Sequence, residues 1–460
     1  MPPYFLSSIC IQIRSRAVYY TNYTMKEKLW QKSSTKLDPV VERYTIGDDY
    51  KSDTVFMPYD IAASRVHVKG LTRIGILTEK EAEQLVQGLD ELHQKWDAGT
   101  IVITPEDEDC HTVIERYLTD TLGVVGKKIH TGRSRNDQIL VAVRLYMKDM
   151  LGGVKNKSTG LARSVLSFAR RHERIPLPGY SHTQQAMLSS VGHYFCSYLE
   201  SLLDDCDFIE AVFRHIDKNP LGSAAGFGVA LPLDREYTAR ELGFSKVQIN
   251  SLYCQSSRGK YEALYLQAFS SLMQTLGKIA SDMILFTSRE FDFFSVDDRC
   301  VTGSSIMPQK RNLDCMELVR GNSAIIRGFH ATVIDLASHL TSGYHRDLQL
   351  MKKLLIESTT IAFESIAVME IFISSLSPNT EHIGKVIKKD IFSADIATAI
   401  ATQEGMAFRD AYRIACARLE ETAIDPQENI SSKISLGAPG NLAFDRYEER
   451  LSDLCRPSIL

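Results

Sequence analysis

The chain has 460 residues, of which 44% are hydrophobic and 24% are charged, and its formal net charge is −4 at pH 7. This composition is ordinary for a soluble globular protein, and the length predicts two or three domains. The weakly acidic balance argues against a nucleic-acid-binding surface, and no run approaches the ~18 apolar residues of a membrane span. We therefore expect a soluble protein that binds neither nucleic acid nor membrane.

The nine cysteines are scattered singly along the chain. They form no CxxC pair and no Cys/His spacing typical of a metal site. This pattern indicates a reducing compartment, which we take to be the cytoplasm, and it argues against structural zinc. We predict no metal site.

Residues 1–24 contain Arg14 and Arg16 and no acidic residue. The positive charges follow the modestly apolar run at residues 5–13, which is the reverse of a secretory signal. Three interpretations fit this segment: a transit peptide, a disordered leader, or a misassigned upstream start with Met25 as the true first residue. We exclude residues 1–24 from the predicted fold.

The predicted N-terminal helical domain covers residues 25–134. A helix is expected from Tyr59 to Leu71, with Asp60, Ser64 and His67 on one polar face that we interpret as solvated. A second helix, 78–96, begins with a capping box formed by its Thr-x-x-Glu start.

His111 follows the acidic loop at residues 106–109. It could ligate a metal, but no second histidine stands four residues on. A hydrogen-bonded histidine at a helix start is the preferred interpretation.

The nine residues from His130 to Gln138 contain no aliphatic side chain but do contain two arginines, an asparagine and a threonine. Guanidinium groups pair with carboxylates through two parallel hydrogen bonds. A plain N-cap flanked by solvated arginines would also fit the pattern. The density of polar groups favours a site for a carboxylate ligand.

Five long proline-free segments follow, with apolar residues at three- and four-residue steps, at about 137–172, 186–217, 262–290, 314–342 and 345–376. That period is typical of amphipathic helices, and no strand-period region of comparable length competes. The fold class is predicted as all-α, with a central long-helix bundle domain over 135–385. Shorter helical patterns at 393–403 and 408–422 indicate a small C-terminal helical domain over 386–460.

Polar clusters occupy the connections between these helices. The densest is Gly303–Asn312, where a glycine, two serines, a proline, a lysine and an asparagine interrupt the apolar pattern. Loops held by a rigid scaffold commonly carry function. The glycine-rich run at 222–226 has no preceding strand, so we interpret it as a tight turn and not as a phosphate loop.

Gly303–Asn312 resembles the Gly-Ser-Ser-x-Met-Pro-x-Lys-x-Asn loop of the fumarase/aspartase superfamily. His130–Gln138 resembles the stretch that distinguishes the argininosuccinate lyase family within it, and the resemblance extends over about 27–420. It implies a three-domain lyase and a homotetramer whose central helices, five per subunit, form a twenty-helix core. It also implies active sites built from three subunits.

The reaction implied is the reversible, cofactor-free β-elimination of argininosuccinate to arginine and fumarate, the last step of arginine biosynthesis. By motif position, Ser304 is the general base, and Lys310 and Asn312 stabilise its alkoxide. His182 is the proton donor or relay, and Glu317 orients it. The resemblance also implies a set of residues that bind substrate or line its site: Ser64, His111, Thr112, Arg135, Asn136, Ser181, Ser305, Tyr344, Gln349 and Lys352.

The chain departs from the family pattern at several positions. Ser181 stands where threonine is usual, so the hydroxyl is kept. Met187 and Leu188 stand in place of Gln-Pro, and Leu313 and Ala407 each replace a proline. Lost prolines loosen the backbone without removing a functional group, so we expect an effect on activity or thermal stability and none on reaction type.

Three alternatives remain open. The first is another fumarate-releasing lyase of the superfamily, such as adenylosuccinate lyase, aspartase or fumarase. The second is a catalytically lapsed structural homologue of the kind found in lens crystallins. The third is a helical scaffold in which every polar loop is merely solvated.

Overall fold

The computed structural model describes residues 37–419 and 423–455. The predicted leader at 1–24 lies outside these residues. In the part before residue 135 the α-helices are α1 (Pro39–Ile46), α2 (Asp49–Arg73), α3 (Glu79–Asp97), α4 (Cys110–Leu122) and α5 (Val124–Lys127). Helices α2, α3 and α4 enclose a hydrophobic core of their own, which includes Ile61, Leu89 and Ile114.

Helix α2 differs from its prediction in two respects. It begins at Asp49, ten residues before Tyr59, and Pro58 lies inside it. Its polar face is buried: Asp60 and Ser64 have no exposed surface and His67 is only 3% exposed. The interpretation as a solvated face is wrong because neighbouring polar side chains from α4 and α6 supply hydrogen-bond partners to this face.

The next part of the chain contains the long helices and several short strands. In chain order these are α6 (Arg135–Arg171), β1 (Pro176–Ser181), β2 (Gln184–Ser190), α7 (Val191–Ile216), β3 (Lys218–Asn219), α8 (Arg235–Glu241), β4 (Lys246–Val247), α9 (Ser251–Ser256), α10 (Lys260–Phe286), β5 (Phe294–Val296), α11 (Asp314–Ser338), α12 (Met351–Ser375) and β6 (Leu376–Pro378). The prediction of five long helices in an all-α protein is confirmed. Each of the three sheets has two strands, β1 with β2, β3 with β4, and β5 with β6.

The start of the second long helix differs from the prediction. Residues 184–190 form β2, antiparallel to β1, and α7 begins only at Val191. Ser190 fixes this start because its hydroxyl accepts a hydrogen bond from the His193 amide. The fifth helix also begins late, at Met351, after a 3-10 turn over Arg346–Leu350.

The five long helices pack around one large hydrophobic core. At its centre the Thr359 hydroxyl lies within hydrogen-bond distance of two buried tyrosines, 2.8 Å from Tyr146 and 2.5 Å from Tyr265. Helices α10 and α11 approach closely at Gly259, where a Cβ atom would lie 2.4 Å from that of Ala337. Gly259 also has a φ of 81°, a conformation that glycine adopts without steric cost.

The bundle has two distinct ends because its helices alternate in direction. The starts of α6, α10 and α12 lie at one end with the C-termini of α7 and α11. The β1–β2 hairpin, the β5–β6 ladder and the loop at 303–312 lie at the other. The 25 residues of α12 span this separation, and at 1.5 Å per residue they measure ~37 Å.

The C-terminal part contains α13 (Thr380–Val386), α14 (Ser393–Gln403), α15 (Phe408–Arg418), α16 (Pro426–Ser432) and α17 (Phe444–Cys455). Helix α14 has its predicted bounds. Helix α17 returns to the bundle, where Arg450 contacts Asp204 and Asp207 of α7 at 2.9 and 2.7 Å. The domain boundaries at 134 and 385 stay a prediction.

Candidate active site

A cleft of about 170 Å³ opens where the N-terminal helices meet one end of the bundle. Polar and charged side chains make up most of its wall. The lining residues are Ile46, Asp49, Glu108, Asp109, His111, Arg135, Asn136, Ile139, Arg258, Tyr344, Arg346, Gln349 and Lys352.

Several helix N-termini converge on this cleft. Helix α2 begins there at Asp49, α4 at Cys110, α6 at Arg135, α10 two residues after Arg258, and α12 at Met351. The first amides of a helix have no intrahelical acceptor, and the helix dipole places partial positive charge at that end. The cleft is therefore built to attract and hold anionic groups such as carboxylates.

The side chains of the cleft carry charges of both signs. Four cationic residues (Arg135, Arg258, Arg346 and Lys352) face three carboxylates (Asp49, Glu108 and Asp109). Such a wall suits a substrate that itself carries both carboxylates and cationic nitrogen groups.

Lys352 is held at the floor of the cleft by two carboxylates. Its ammonium lies 2.9 Å from Asp49 and 2.6 Å from Asp53. Burial by itself would lower the pKa of Lys352, but Asp53 and Asp49 outweigh it and raise the pKa above its ordinary value. Burial raises the pKa of Asp49 to about 6, although Lys352 acts against the rise. Lys352 thus stays cationic, and Asp49 takes up a proton in mild acid.

Arg135 is oriented by its neighbours in α4. It donates hydrogen bonds to Asp109 at 3.2 Å and to the Thr112 hydroxyl at 3.0 Å. Asp109 is also the N-cap of α4, where it accepts from the Thr112 amide at 2.8 Å. Arg135 therefore presents its guanidinium to the cleft in a fixed position.

Asp60 is the centre of the buried network behind the cleft. Its carboxylate lies 2.5 Å from His111 Nδ1 and accepts from the Gln138 amide at 3.0 and 3.1 Å. Ser64 donates to it at 3.3 Å and accepts from Arg133 at 2.9 Å. Burial would lower the pKa of His111, but Asp60, with Asp109 and Asp53, raises it above the ordinary histidine value. The contact between His111 and Asp60 agrees with the preferred interpretation of His111 as a hydrogen-bonded histidine at a helix start.

The segment at 130–138 combines both interpretations considered for it. Ser134 caps α6 in a capping box with Asp137, while Arg135 and Asn136 line the cleft. The carboxylate of Asp137 also accepts hydrogen bonds from the amides of Gly222 and Ala224 at 3.0 and 2.9 Å. The glycine-rich turn therefore binds a carboxylate of its own chain.

Asp53, Cys110 and His111 offer possible metal-ligand atoms within 4.8 Å of one another. Asp53 already binds the Lys352 ammonium and the Cys110 amide, and His111 is hydrogen-bonded to Asp60. A cation placed among them would be repelled by Lys352. These residues fit the hydrogen-bond network better than they fit a metal.

The sequence-predicted residues divide into two groups within one chain. His111, Arg135, Asn136, Tyr344, Gln349 and Lys352 line the cleft, Thr112 is bonded to Arg135, and Ser64 lies in the buried Asp60 network behind His111. At the opposite end of the bundle, the end of β1, two loops and a helix start hold Ser181, His182, Ser304, Ser305, Lys310, Asn312 and Glu317. One chain therefore does not bring the two groups together.

The loop Gly303–Asn312, termed the Ser304 loop below, is tied at its base and exposed at its tip. Thr302 and Asn312 exchange main-chain hydrogen bonds of 3.0 and 2.8 Å. Ser304 is half-buried, and its hydroxyl accepts from the amides of Ile306 and Met307 at 3.4 and 3.2 Å. Lys310 is exposed. Donors aimed at the Ser304 oxygen are what an alkoxide at this position would require.

His182 lies exposed at the tip of the β1–β2 hairpin. His182 and Thr183 both have positive φ values, 51° and 59°. Such conformations are costly for residues other than glycine and occur often at functional positions. Within residues 37–419, no hydrogen bond joins Glu317 to His182 in one chain.

Asp49, Glu108, Asp109, Arg258 and Arg346 line the cleft but were not predicted as site residues. The acidic loop just before His111 and the position of Arg346 between Tyr344 and Gln349 are signals that could have identified three of them. Asp49 and Arg258 carry no comparable signal, because only the packing of distant helices brings them to the cleft.

Comparison with known proteins adds independent evidence. A family model described as "Lyase" matches residues 31–328. An argininosuccinate lyase of Sorangium cellulosum is 42% identical over 93% of this chain and 99% of its own length. One of Thermotoga neapolitana is 42% identical over 85% of this chain and 98% of its own. The chain belongs to the argininosuccinate lyase family. The resemblance inferred from the sequence motifs is confirmed.

Solved structures agree with the fold of the argininosuccinate lyase family. An EDDS lyase in complex with formate superposes with a TM-score of 0.76 at 22% identity, covering 90% of each chain. A class II fumarase from Schistosoma mansoni gives 0.70 at 17% identity, covering 84% of this chain and 94% of that one. At these identities the likeness concerns the fold alone.

Two positions where the motif resemblance implied a proline lie at structural junctions. Leu313 is the N-cap residue of α11, just after the Ser304 loop. Leu188 is buried in β2, where its carbonyl accepts from Lys433 at 2.6 Å. Both backbones are held by other contacts, but the restraint on φ that proline provides is absent.

Proposed function

We propose that this chain catalyses the reversible β-elimination of argininosuccinate to arginine and fumarate, without a cofactor. The observation that carries the proposal is its 42% identity to curated argininosuccinate lyases over almost their whole length. The cleft supports it, since arginines, a lysine and helix N-termini suit carboxylates while Asp49 and Glu108 suit cationic nitrogens.

The reaction requires a base that removes a substrate proton next to a carboxylate. Negative charge then accumulates on that carboxylate. We assign the base to Ser304, whose alkoxide would be stabilised by Lys310, Asn312 and nearby loop amides. His182 then protonates the leaving guanidino nitrogen, directly or through a relay, and Glu317 orients His182. Closure of the Ser304 loop over the substrate excludes water and completes the site.

Each site would draw its residues from several subunits of a homotetramer. Two features support this assembly. First, ~37 Å of helix α12 separates the cleft from the Ser304 loop and the hairpin in one chain. Second, one face of α11 is bare in the single chain, with Leu318 and Ile325, seven residues apart, at 66% and 49% exposure. Exposed aliphatic residues on a long bundle helix are typical of a helix-helix interface.

The small residues of α11 suit a close approach by another helix. Gly321, Ala324, Gly328 and Ala331 lie on its exposed surface, at alternating steps of three and four that align them along the helix. A bundle of such helices would bring the cleft of one subunit to the Ser304 loop and the His182 hairpin of others. The substrate-binding residues of the cleft would then hold the amino-acid end and carboxylates of argininosuccinate.

We place this activity in arginine biosynthesis and the protein in the cytoplasm. Over the described residues, none of the helices combines the length and the apolar character needed to cross a membrane. The half-buried and exposed free cysteines fit a reducing compartment.

The test is an assay of the purified protein with argininosuccinate, and separately with malate, aspartate and adenylosuccinate, following the ultraviolet absorbance of fumarate. Release from argininosuccinate alone is expected. Preferential turnover of another substrate would reassign the chain within the superfamily. No turnover of any of them would favour a lapsed structural homologue.

A further inference from the structure

We propose that Cys300 and Cys315 are a redox modification site, at which a reversible disulfide locks the base of the Ser304 loop. The functional part of this inference rests on the proposed function, because it concerns the loop that carries Ser304. The prediction that the disulfide forms does not depend on the proposed function.

The two cysteines flank the Ser304 loop and lie against each other. The Cys315 thiol donates to the main-chain carbonyl of Cys300 at 3.4 Å. Between them Thr302 and Asn312 form an antiparallel bridge, and residues opposed in this way have Cα atoms ~5.5 Å apart. Disulfides join residues whose Cα atoms are about 4.4–6.8 Å apart. The bridge ties the two segments together two residues after Cys300 and three residues before Cys315, and the 3.4 Å contact brings the Cys315 sulfur to the main chain of Cys300.

The environment of the pair allows a small oxidant to reach it. Cys300 and Cys315 are half-buried, whereas Cys110, Cys196 and Cys254 are buried. Both members of the pair also pack against the edge of the main hydrophobic core. The site is open enough for a small molecule to enter, and the core contacts hold the Cys315 sulfur beside Cys300.

Oxidation at this site can be written with a peroxide as the oxidant. One thiolate attacks the peroxide and becomes a sulfenic acid as the O–O bond breaks and water leaves. The second thiol attacks the sulfenic sulfur, the S–S bond forms, and a second water leaves. Two thiols are oxidised and one peroxide is reduced. A dithiol reductant reverses the change.

Burial raises the pKa of the Cys315 thiol, and the neighbouring Cys300 adds to the rise. The thiolate is the reactive form, so its scarcity makes the reaction slow. The Cys315 thiol therefore reacts slowly, and the disulfide is expected to form under sustained oxidising conditions.

The base of the loop is otherwise held by non-covalent contacts. Thr302 donates to Asp314 at 2.5 Å, and Arg311 binds Asp298 and the carbonyl of Val296. These contacts can yield when the loop closes over a ligand. A covalent link between Cys300 and Cys315 would fix the two segments on which the loop turns, and turnover would then be limited by closure.

The experiment treats the full-length wild-type protein with hydrogen peroxide, blocks free thiols by alkylation, and maps disulfides by mass spectrometry of peptides. We expect a linked Cys300–Cys315 peptide pair within one chain. We expect kcat for fumarate release to fall on the order of tenfold and to recover with a dithiol reductant. Cys416→Ser, which removes an exposed cysteine, is the matched control and should behave like the wild type.

Cys315→Ser and Cys300→Ser should each abolish the linked peptide and protect kcat from peroxide. If one variant folds poorly, the other provides the same test. Absence of the linked peptide in the oxidised wild type, or a link between different chains on a non-reducing gel, overturns the inference. A link that leaves kcat unchanged overturns its regulatory part. Failure of the reduced enzyme to release fumarate overturns the proposed function and leaves the mass measurement valid.

Discussion

Asp60 and His111 form a buried pair in which a carboxylate oxygen lies 2.5 Å from the imidazole Nδ1. Asp60 is on α2 and His111 is on α4, so the pair ties the N-terminal helices together directly behind the cleft. Burial opposes ionisation of both groups, yet their attraction prevails. It raises the pKa of His111 and lowers that of Asp60.

Replacement of Asp60 by asparagine should therefore destabilise the protein in a pH-dependent way. The raised pKa of His111 contributes stability that is fully present below pH 6.5, the pKa of histidine in the unfolded chain. This contribution is lost as the pH rises through the folded pKa. The lowered pKa of Asp60 contributes stability that is present above 3.8 and lost as pH falls through its folded pKa. The largest effect is expected at about pH 4–6.5. There the substitution should lower the free energy of unfolding by about 3–5 kcal/mol, the usual cost of breaking a buried pair.

Thermal unfolding of wild type and Asp60→Asn across this pH range would measure the difference. Asp97→Asn is the matched control, because Asp97 pairs with His93 at 3.5 Å on an exposed surface. That variant should change stability little. A difference between Asp60→Asn and wild type that does not vary with pH would contradict the assigned ionisation states.

Ser304→Ala and His182→Asn should each lower kcat about 10²- to 10⁴-fold, because each removes a proton-transfer group while leaving the packing unchanged. Both side chains lie in loops outside the hydrophobic core, so the oligomer should be preserved. Steady-state kinetics with argininosuccinate and size-exclusion chromatography provide the measurements. Ser432→Ala, at an exposed helix end, should retain full activity, and a mild effect from both loop variants would refute the catalytic roles.

Mixed oligomers test whether subunits share their sites. Gln349→Ala removes a residue of the cleft, and Ser304→Ala removes the base at the other end of the bundle. If the two come from different chains in each site, co-refolded mixtures should recover up to about one quarter of wild-type turnover, since half of the subunits supply each intact element. The same variants, refolded separately and then assayed together without exchange, should stay inactive. No recovery in fully scrambled oligomers would argue for a site within one chain.

Gly259→Ala should destabilise the α10–α11 contact. The added methyl group would lie 2.4 Å from the Ala337 Cβ, and the residue has a φ of 81°. We expect overpacking to lower the free energy of unfolding by about 1–3 kcal/mol, in addition to the cost of the backbone strain. Gly75→Ala isolates that strain, because Gly75 has a φ of 74° and no atom lies within 4 Å of the position that its methyl group would take. Equal losses of thermal stability in the two variants would mean that the helices separate freely at Ala337.

The features that the sequence predicted best are those recorded by local periodicity. The long helices, the capping box of Thr78 and Glu81, and the bounds of α14 all follow from patterns within a few residues. The burial of Asp60 could not be predicted in this way. A polar helical face looks the same whether its partners are water molecules or distant residues such as Arg133 and Gln138.

Long-range pairing limited the prediction in two other places. The β1–β2 hairpin turns at His182 and Thr183, which lack the Asn-Gly or Gly-Gly signal typical of such turns. The cleft gathers residues as far apart as Asp49 and Lys352. Motif resemblance identified individual site residues, but it could not indicate that a single chain separates them into two groups.

Under the proposed function, the length of α12 makes assembly of several chains a requirement for turnover. In the proposed assembly, one chain supplies the cleft to one active site and its Ser304 loop and His182 hairpin to others. A substitution on the bare side of α11 is then expected to abolish turnover without touching a reacting atom, because it keeps the parts of the proposed site from meeting. In such a protein the subunit interface is as necessary for activity as the residues that transfer the proton.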